Sequence, residues 1–198
     1  MFRKVLKWVG IVILAGFVVL VIVRMFVLDA KEKTAEQVAK IHATKLTLDD
    51  VFGKNLPPEP SVEADKTVAG VDANRNGIRD DVELAIFKEY PNSAKTRAVL
   101  LQYALALQME VVQPIVNEGT VTAVAEDGER AYACVGKILS RSDLNKYSAE
   151  VDTLRSFVED RQLNTKEREQ SQKDFYEKLA SHTLSKGSCD LDLSTLPN

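Results

Sequence analysis

The sequence predicts an all-α protein in which an N-terminal transmembrane helix and a helical stalk precede a small helical bundle. Three observations lead to this fold class. Residues 8–28 form an apolar block, apolar residues recur at helical spacing over most of the chain beyond residue 79, and no stretch alternates apolar and polar residues as a half-buried strand does. A chain of 198 residues, 45% of them hydrophobic, has room for one membrane segment and one globular domain.

The apolar block, residues 8–28, is interrupted once, by Arg24. Every residue before Arg24 in the block is apolar or glycine, and four more apolar residues follow it. At about 1.5 Å per residue the block makes a helix of roughly 30 Å, which is the thickness of the hydrocarbon core. Arg24 lies about one turn from the end, where a guanidinium reaches the headgroups. We therefore predict a transmembrane signal anchor over residues 8–28, after a short cytoplasmic tail of residues 1–7.

The alternative is a cleaved secretory signal peptide. The basic start of the chain and the weak cleavage sequence Leu28-Asp29-Ala30 fit this alternative. A secretory apolar region is about 7 to 15 residues long, however, and is not followed by a charge and further large apolar residues. The length of the block and Arg24 therefore favour an uncleaved anchor. Basic residues flank the block on both sides, so charge alone does not determine its orientation.

Residues 29–52 continue as a mainly polar helix, for which we predict a stalk. Near its end, Thr47 and Asp50 have the spacing of a capping box that begins a short turn. The prolines of residues 53–70 fix backbone angles and remove hydrogen-bond donors, which predicts a linker without regular structure. The folded domain is then predicted to span residues 71–198.

Residues 72–83, with the sequence DANRNGIRDDVE, have the spacing of a twelve-residue calcium loop. Calcium takes about six to eight oxygen ligands, which a curled loop supplies from alternate positions. The predicted ligands, in positions one, three, five, seven, nine and twelve, are Asp72, Asn74, Asn76, the backbone carbonyl of Ile78, Asp80 and Glu83. Gly77 permits the sharp bend at position six. The predicted fold is thus a helical bundle with one calcium-binding loop, and Ca²⁺ is the predicted cofactor.

The loop departs from an EF-hand in two ways. Its large apolar residue, Ile78, stands at position seven instead of eight, and no entering helix precedes the loop. In both respects residues 72–83 resemble the calcium loops of thrombospondin type 3 repeats. Three carboxylate ligands favour weak binding, at about 10⁻⁵ to 10⁻³ M, which suits calcium-rich surroundings outside the cytosol. The alternative is an Asx-rich turn followed by a helix N-cap, which needs no metal.

A wider part of the chain resembles a group of uncharacterised bacterial envelope proteins. The segments that carry the resemblance are Leu46–Asp50, Leu56–Pro58, the loop of residues 72–83, Tyr90–Ser93 and Leu101–Ala104. The resemblance implies a bacterial, membrane-attached protein with the same calcium loop. It implies no activity for any residue.

Five helices are predicted from the end of the loop onward. The second, capped by Asn92 or Ser93 and ended by Pro114, is apolar over a wide arc and is expected to be the central helix. The third and fourth have apolar residues at helical spacing, and the fifth is expected to begin at a Thr165 cap and to end at Gly187. Helices joined by such short loops suit a small bundle.

Two cysteines, Cys134 in the third predicted helix and Cys189 in the tail, complete the structural predictions. In an exported domain they are expected to form a disulfide, whereas in a cytosolic domain they would be two buried thiols. The calcium loop and the cysteine pair together favour export. We therefore predict a single-pass inner-membrane protein with its C-terminal domain in the periplasm or outside the cell.

The charge of the domain argues against nucleic acid as a partner. Four of the 26 basic residues and one of the 29 acidic residues precede Lys31, so the remainder has a net charge of about −6. No cluster of basic and aromatic residues forms a surface for phosphates. The membrane and an envelope protein are the predicted partners.

The sequence contains little that indicates catalysis. Its two histidines, His42 in the stalk and His182 near the end of the last helix, have no recognisable partners, and no phosphate loop, nucleophile elbow or zinc motif is present. We therefore predict a membrane-tethered, calcium-stabilised interaction or structural module of the bacterial envelope. The alternatives are an envelope enzyme of the hydrolase type and a dockerin-like binding role, which the single loop disfavours.

Overall fold

The computed structural model describes residues 2–180 and 189–198. In these residues the protein has seven α-helices and no β-strand, which confirms the predicted all-α fold. The helices are α1 (Phe2–Ala43), α2 (Leu48–Val51), α3 (Asp80–Glu89), α4 (Ala94–Val112), α5 (Glu118–Val135), α6 (Leu144–Gln162) and α7 (Lys166–Glu177). Short 3₁₀ turns occupy Ser61–Asp65, Gly136–Ile138 and Leu193–Thr195.

The chain forms two compact units, Met1–Lys40 and Ile41–Asn198. The first unit consists of most of α1. In α1, the stretch Lys7–Ala43 contains an 18-residue window that is strongly apolar and has no buried residue. Among the described residues, this is the one helix long and apolar enough to cross a membrane, in agreement with the span predicted for residues 8–28.

The second unit begins at Ile41, well before the predicted domain boundary at residue 71. Ile41, Leu46 and Val51 are all buried. The backbone carbonyl of Val51 accepts a hydrogen bond from Nε of Arg97 in α4 at 3.0 Å. The end of the predicted stalk therefore belongs to the folded domain. The apolar side chains of this segment are too widely spaced to form a helical stripe, so the sequence does not reveal their burial. Residues that are distant in the sequence cover them individually.

The predicted linker is also part of this unit, although it contains only one turn of 3₁₀ helix. The guanidinium of Arg168, in α7, donates to the backbone carbonyls of Thr67 and Val68 at 3.1 and 3.0 Å. Nε2 of Gln108, in α4, donates to the carbonyl of Ala69 at 2.8 Å. These side chains satisfy backbone groups that have no helical partners. The segment that leads into residues 72–83 is thereby held against α4 and α7.

Helix α4 is the centre of the bundle, as predicted. Every residue from 97 to 111 is buried, and α3, α5, α6 and α7 all pack against it. The Ser93 hydroxyl caps its start by accepting from the backbone N–H of Thr96 at 3.1 Å. The helix ends at Val112, shortly before Pro114, because a proline disfavours helical geometry in the residue before it and lacks an N–H.

The other helices begin at polar caps. Asn117 caps α5, Asp143 caps α6 and Thr165 caps α7, the last as predicted. The final helix ends at Glu177. Gly187, which was predicted to end it, lies outside the described residues.

The C-terminal tail lies on the bundle. The sulfur atoms of Cys134, at the end of α5, and Cys189 are 2.02 Å apart, at disulfide distance, as predicted for an exported domain. Leu196 is buried, and the backbone N–H of Lys95 donates to the carbonyl of Pro197 at 3.2 Å. The disulfide thus joins α5 to a segment that also contacts the start of α4.

Candidate metal centre

The predicted calcium loop lies between the linker segment and α3. Two residues have backbone angles in the left-handed region, Arg75 with φ of +60° and Gly77 with φ of +85°. A Cβ atom on Gly77 would lie 2.7 Å from Cδ1 of Leu105 in α4, so a side chain here would adopt a strained backbone angle and displace Leu105. The loop is closed by a hydrogen bond of 2.9 Å from the backbone N–H of Asp80 to the carbonyl of Val71.

Side chains of the predicted ligands curl this loop through hydrogen bonds to its backbone. The Asp72 carboxylate accepts from the N–H groups of Asn76 and Gly77 at 3.2 and 3.0 Å. The Asn76 amide oxygen accepts from the N–H of Ile78 at 2.9 Å. The Ile78 side chain is fully buried. Asx turns and one apolar anchor therefore set the shape of the loop.

The side chains of Asn74 and Asn76 both hydrogen-bond to the carboxylate of Glu83, in position twelve. It is only 1% exposed, and it accepts hydrogen bonds from the amide nitrogens of Asn74 and Asn76 at 3.0 and 3.1 Å. Burial raises the pKa of the Glu83 carboxyl to about 7, and the two amide hydrogen bonds oppose the rise. The first turn of α3 therefore carries a buried carboxylate with neutral donors around it.

Asp80, in position nine, faces the loop backbone. Both of its carboxylate oxygens accept from the N–H of Ala73, at 3.0 and 3.1 Å. Burial raises the pKa of Asp80, and the neighbouring charges of Asp72 and Asp81 raise it further, while the hydrogen bond from Ala73 lowers it. The loop therefore concentrates negative charge in a confined space.

The predicted ligand side chains bond to one another and to the loop backbone. Among the residues that the structure describes, no group of three or more His, Cys, Asp or Glu side chains is close enough to hold a metal ion by itself. A metal here requires the amide and backbone oxygens as well as the carboxylates. The donor set is entirely oxygen, which is the set that Ca²⁺ prefers, and a half-turn of the Asn74 or Asn76 amide presents oxygen in place of nitrogen. In donor chemistry, the residues fit this ion.

Arg79 connects the loop to the rest of the bundle, and the sequence analysis did not single it out. Its side chain is fully buried and forms an ion pair with Asp81, Nε to Oδ1, at 2.6 Å. Its Nη1 atom donates to the carbonyl of Gln162, the last residue of α6, at 3.1 Å. No local pattern distinguishes a buried arginine from an exposed one. Its partners in α6 are far from it in the sequence and are brought near only by folding.

Of the two histidines, only His42 lies in the described part of the chain, and His182 lies outside it. The His42 ring lies against two α5 carboxylates: Nδ1 is 3.5 Å from Oδ2 of Asp127, and Nε2 is 3.8 Å from Oε2 of Glu126. The sequence analysis found no partner for His42. These acids are far from it in the sequence, so pattern alone did not reveal them.

Comparisons with protein-family models, with curated proteins and with solved structures found no match to this chain.

Proposed function

We propose that this chain is a membrane-tethered module of the bacterial envelope. Its folded domain, Ile41–Asn198, binds Ca²⁺ in the loop of residues 72–83 and acts as an interaction or structural module. The observation that carries this proposal is the convergence of Asn74 and Asn76 on the buried carboxylate of Glu83. The sequence spacing of a calcium loop and the folded geometry thus point to the same residues.

The buried charge of Glu83 provides an energetic reason for the binding of a cation. Burying an ionised carboxylate is unfavourable unless it is compensated, and neutral amide donors compensate less well than a divalent cation does. Asp72 and Asp80 add negative charge to the same loop, so a cation relieves repulsion as well as desolvation. Binding to the folded state alone stabilises that state, by about 2.7 kcal/mol at a free ion concentration one hundred times the dissociation constant.

Two further observations support a location outside the cytosol. The cysteine pair is at disulfide distance, and disulfides persist in oxidising compartments. The chain also has one N-terminal helix long and apolar enough to span a membrane. A signal anchor with the domain in the periplasm or outside the cell accounts for both observations, and these compartments supply more calcium than the cytosol does.

The proposal is tested by thermal unfolding of the full chain in lipid nanodiscs, with a chelator and with increasing calcium. We expect the melting temperature to rise with calcium and to rise less with magnesium at the same concentrations, because Mg²⁺ requires a tighter octahedron. A melting temperature that is the same in chelator and in several millimolar calcium would overturn the proposal.

The informative variant is Glu83→Gln, which keeps the shape of the side chain and removes its charge. It is expected to lose the calcium shift and to melt no lower than the parent in chelator, because a neutral amide relieves the buried charge. Glu167→Gln, an exposed position in the first turn of α7, is the matched control and should keep the full shift. A Glu83→Gln variant that responds to calcium like the parent would contradict the assignment.

The rival hypothesis, a hydrolase-type envelope enzyme, gains no support from the histidine in the described residues. His42 is half-exposed and lies against Asp127 and Glu126, at the junction of α1 and α5. We therefore do not propose a reaction.

A further inference from the structure

A second feature of the bundle lies apart from the calcium loop. Helices α4, α5, α6 and α7 line a cavity of about 690 Å³ that is partly open to solvent. This volume is within the range of about 300 to 1,000 Å³ that is typical of sites for small molecules. Its polar lining consists mainly of three carboxylates and three tyrosines, Glu110, Glu129, Glu159, Tyr103, Tyr132 and Tyr176.

Small residues on α5 create this space. Gly128 and Ala125 line the cavity, and Gly128 lies so close to α4 that a Cβ atom on it would be 2.9 Å from Oε1 of Glu110. The remaining walls include the apolar side chains of Leu107, Leu163 and Leu179. The cavity therefore has an apolar body with a few polar groups at defined positions, as small-molecule sites do.

Glu110 is the most constrained polar group in the cavity. It is 5% exposed and lies in the buried helix α4. Its carboxylate accepts hydrogen bonds from Nε2 of Gln172 at 2.7 Å and from the hydroxyl of Tyr176 at 2.9 Å. Both donors are neutral, and burial raises the pKa of Glu110 to about 7. The carboxylate thus has hydrogen bonds but no countercharge in these contacts.

Glu159, in α6, is a second carboxylate of the lining; it is partly buried and accepts a hydrogen bond from the hydroxyl of Tyr103. Its negative charge raises the pKa of Glu110. Within residues 2–180 and 189–198, neither Glu110 nor Glu159 forms an ion pair with a Lys, Arg or His, and none of these residue types lines the cavity. Two carboxylates therefore share a partly apolar cavity whose described lining contains no basic residue.

One arginine lies near the cavity without lining it. The guanidinium carbon of Arg155 is 3.9 Å from the centre of the Tyr132 ring, and the guanidinium also bonds to Asp152. The position of Arg155 over Tyr132 shows that a tyrosine of this cavity stacks with a cation. In the part of the chain that the structure describes, Arg155 forms its ion pair with Asp152 and not with Glu110 or Glu159.

We propose that the cavity between α4, α5, α6 and α7 binds a small organic cation, an amine with an apolar body, whose ammonium group is recognised by Glu110 and Glu159. An ammonium group donates charge-assisted hydrogen bonds to both carboxylates, and the tyrosine rings attract its positive charge. The apolar walls accept the hydrocarbon part of the ligand. This site is separate from the calcium loop, and the inference does not depend on calcium binding.

The test compares three probes of one shape in the full chain, held in nanodiscs: 4-phenylbutylamine, the neutral 4-phenylbutanol and the anionic 4-phenylbutyrate. Isothermal titration calorimetry measures binding, with empty nanodiscs subtracted to remove partition into lipid. We expect the amine to bind with an affinity at least tenfold above that of the alcohol and the acid, the effect of about one charge-assisted hydrogen bond. Equal affinities for all three probes, or no saturable binding of the amine, would overturn the proposal.

Two charge-removing variants locate the site. Glu110→Gln and Glu159→Gln are each expected to weaken amine binding by about tenfold to a hundredfold and to leave binding of the alcohol nearly unchanged. Glu167→Gln, on the exposed side of α7, is the matched control and should bind the amine like the parent. If Glu110→Gln fails to fold, Glu159→Gln by itself decides the outcome. Amine binding unaffected by the loss of either charge places the cation elsewhere and contradicts the inference.

Discussion

The Nη1 atom of Arg79 donates to the backbone carbonyl of Gln162 at 3.1 Å and so joins the end of the candidate calcium loop to the last residue of α6. The same guanidinium pairs with Asp81 in the first turn of α3. A buried guanidinium thus satisfies a free carbonyl at one helix end and a carboxylate at the start of another helix. This side chain is therefore one of the groups that hold the loop against the bundle.

Replacement of Arg79 by methionine tests this role. The substitution keeps an apolar stem but leaves the α6 carbonyl and Asp81 without their partner in the protein interior. We expect a loss of about 3 kcal/mol of unfolding free energy. Denaturant unfolding at constant calcium measures it. Arg141→Met, at an exposed position after α5, is the control and should change stability by less than about 0.5 kcal/mol. Equal stabilities of the two variants would show that the Arg79 contacts contribute nothing.

The bend of the loop is tested by two opposite substitutions at positive φ. Gly77→Ala places a Cβ in the left-handed region and within 2.7 Å of Leu105, so we expect a loss of about 1 to 3 kcal/mol. Arg75→Gly relieves a strained non-glycine position and should change stability by less than about 1 kcal/mol, in the stabilising direction or near zero. Chemical denaturation of both variants in chelator separates the backbone effect from metal binding. A Gly77→Ala variant as stable as the parent would contradict this backbone geometry.

The pH dependence of stability tests the buried state of Glu110. Its pKa is raised from 4.5 to about 7, so the folded protein holds the proton more tightly than the unfolded chain does. The stabilisation that this protonation contributes is therefore fully present below about pH 4.5, and it is lost as the pH rises through about 7. A pKa rise of this size changes the free energy of unfolding by about 3 kcal/mol.

Glu110→Gln cannot titrate and should lack this part of the pH dependence. We expect the stability of the variant relative to the parent to increase between pH 5 and pH 8. The measurement is unfolding free energy against pH in a chelator, so that metal binding at Glu83 does not contribute. A difference between variant and parent that is constant over this range would show that Glu110 titrates normally.

The pair of Cys134 and Cys189 tests both the fold and the compartment. Closing a loop of 55 residues contributes about 4 kcal/mol in the chain-entropy description, so the double variant Cys134→Ser, Cys189→Ser should be less stable by up to that amount. Cleavage of the tail by proteases should become faster, because Leu196 is otherwise held on the bundle. Protein taken from native membranes should show no reactive thiol before reduction. Two free thiols in that protein would count against export.

Several features of this fold were predictable from the sequence because their causes are local. The apolar block of residues 8–28 has the length and composition of a membrane span whatever follows it. The caps at Thr47 and Thr165 form within a single turn, and α4 is apolar on nearly every side, so it can only lie inside. The calcium ligands of the candidate loop stay a prediction from their spacing, which rests on the ability of a twelve-residue loop to bring its own side chains together.

Other features depended on contacts between segments that are distant in the sequence. Residues 41–70 were predicted as stalk and linker, because neither prolines nor scattered apolar residues indicate burial, yet side chains from α4 and α7 hold this segment in the folded unit. Arg79 and Arg168 are buried only because folding brings backbone carbonyls to them.

The sequence by itself determined that the chain is helical and that it has one apolar segment able to span a membrane, and it predicts which oxygens would bind a calcium ion. The tertiary structure alone decided where the domain begins, how the loop is attached to the bundle, and that Glu110 and Glu159 meet in one cavity. The physical reason is the range of the interactions. Spacing along one helix or loop is a property of the local chain, whereas burial, desolvation and the pairing of charges depend on which helices pack together.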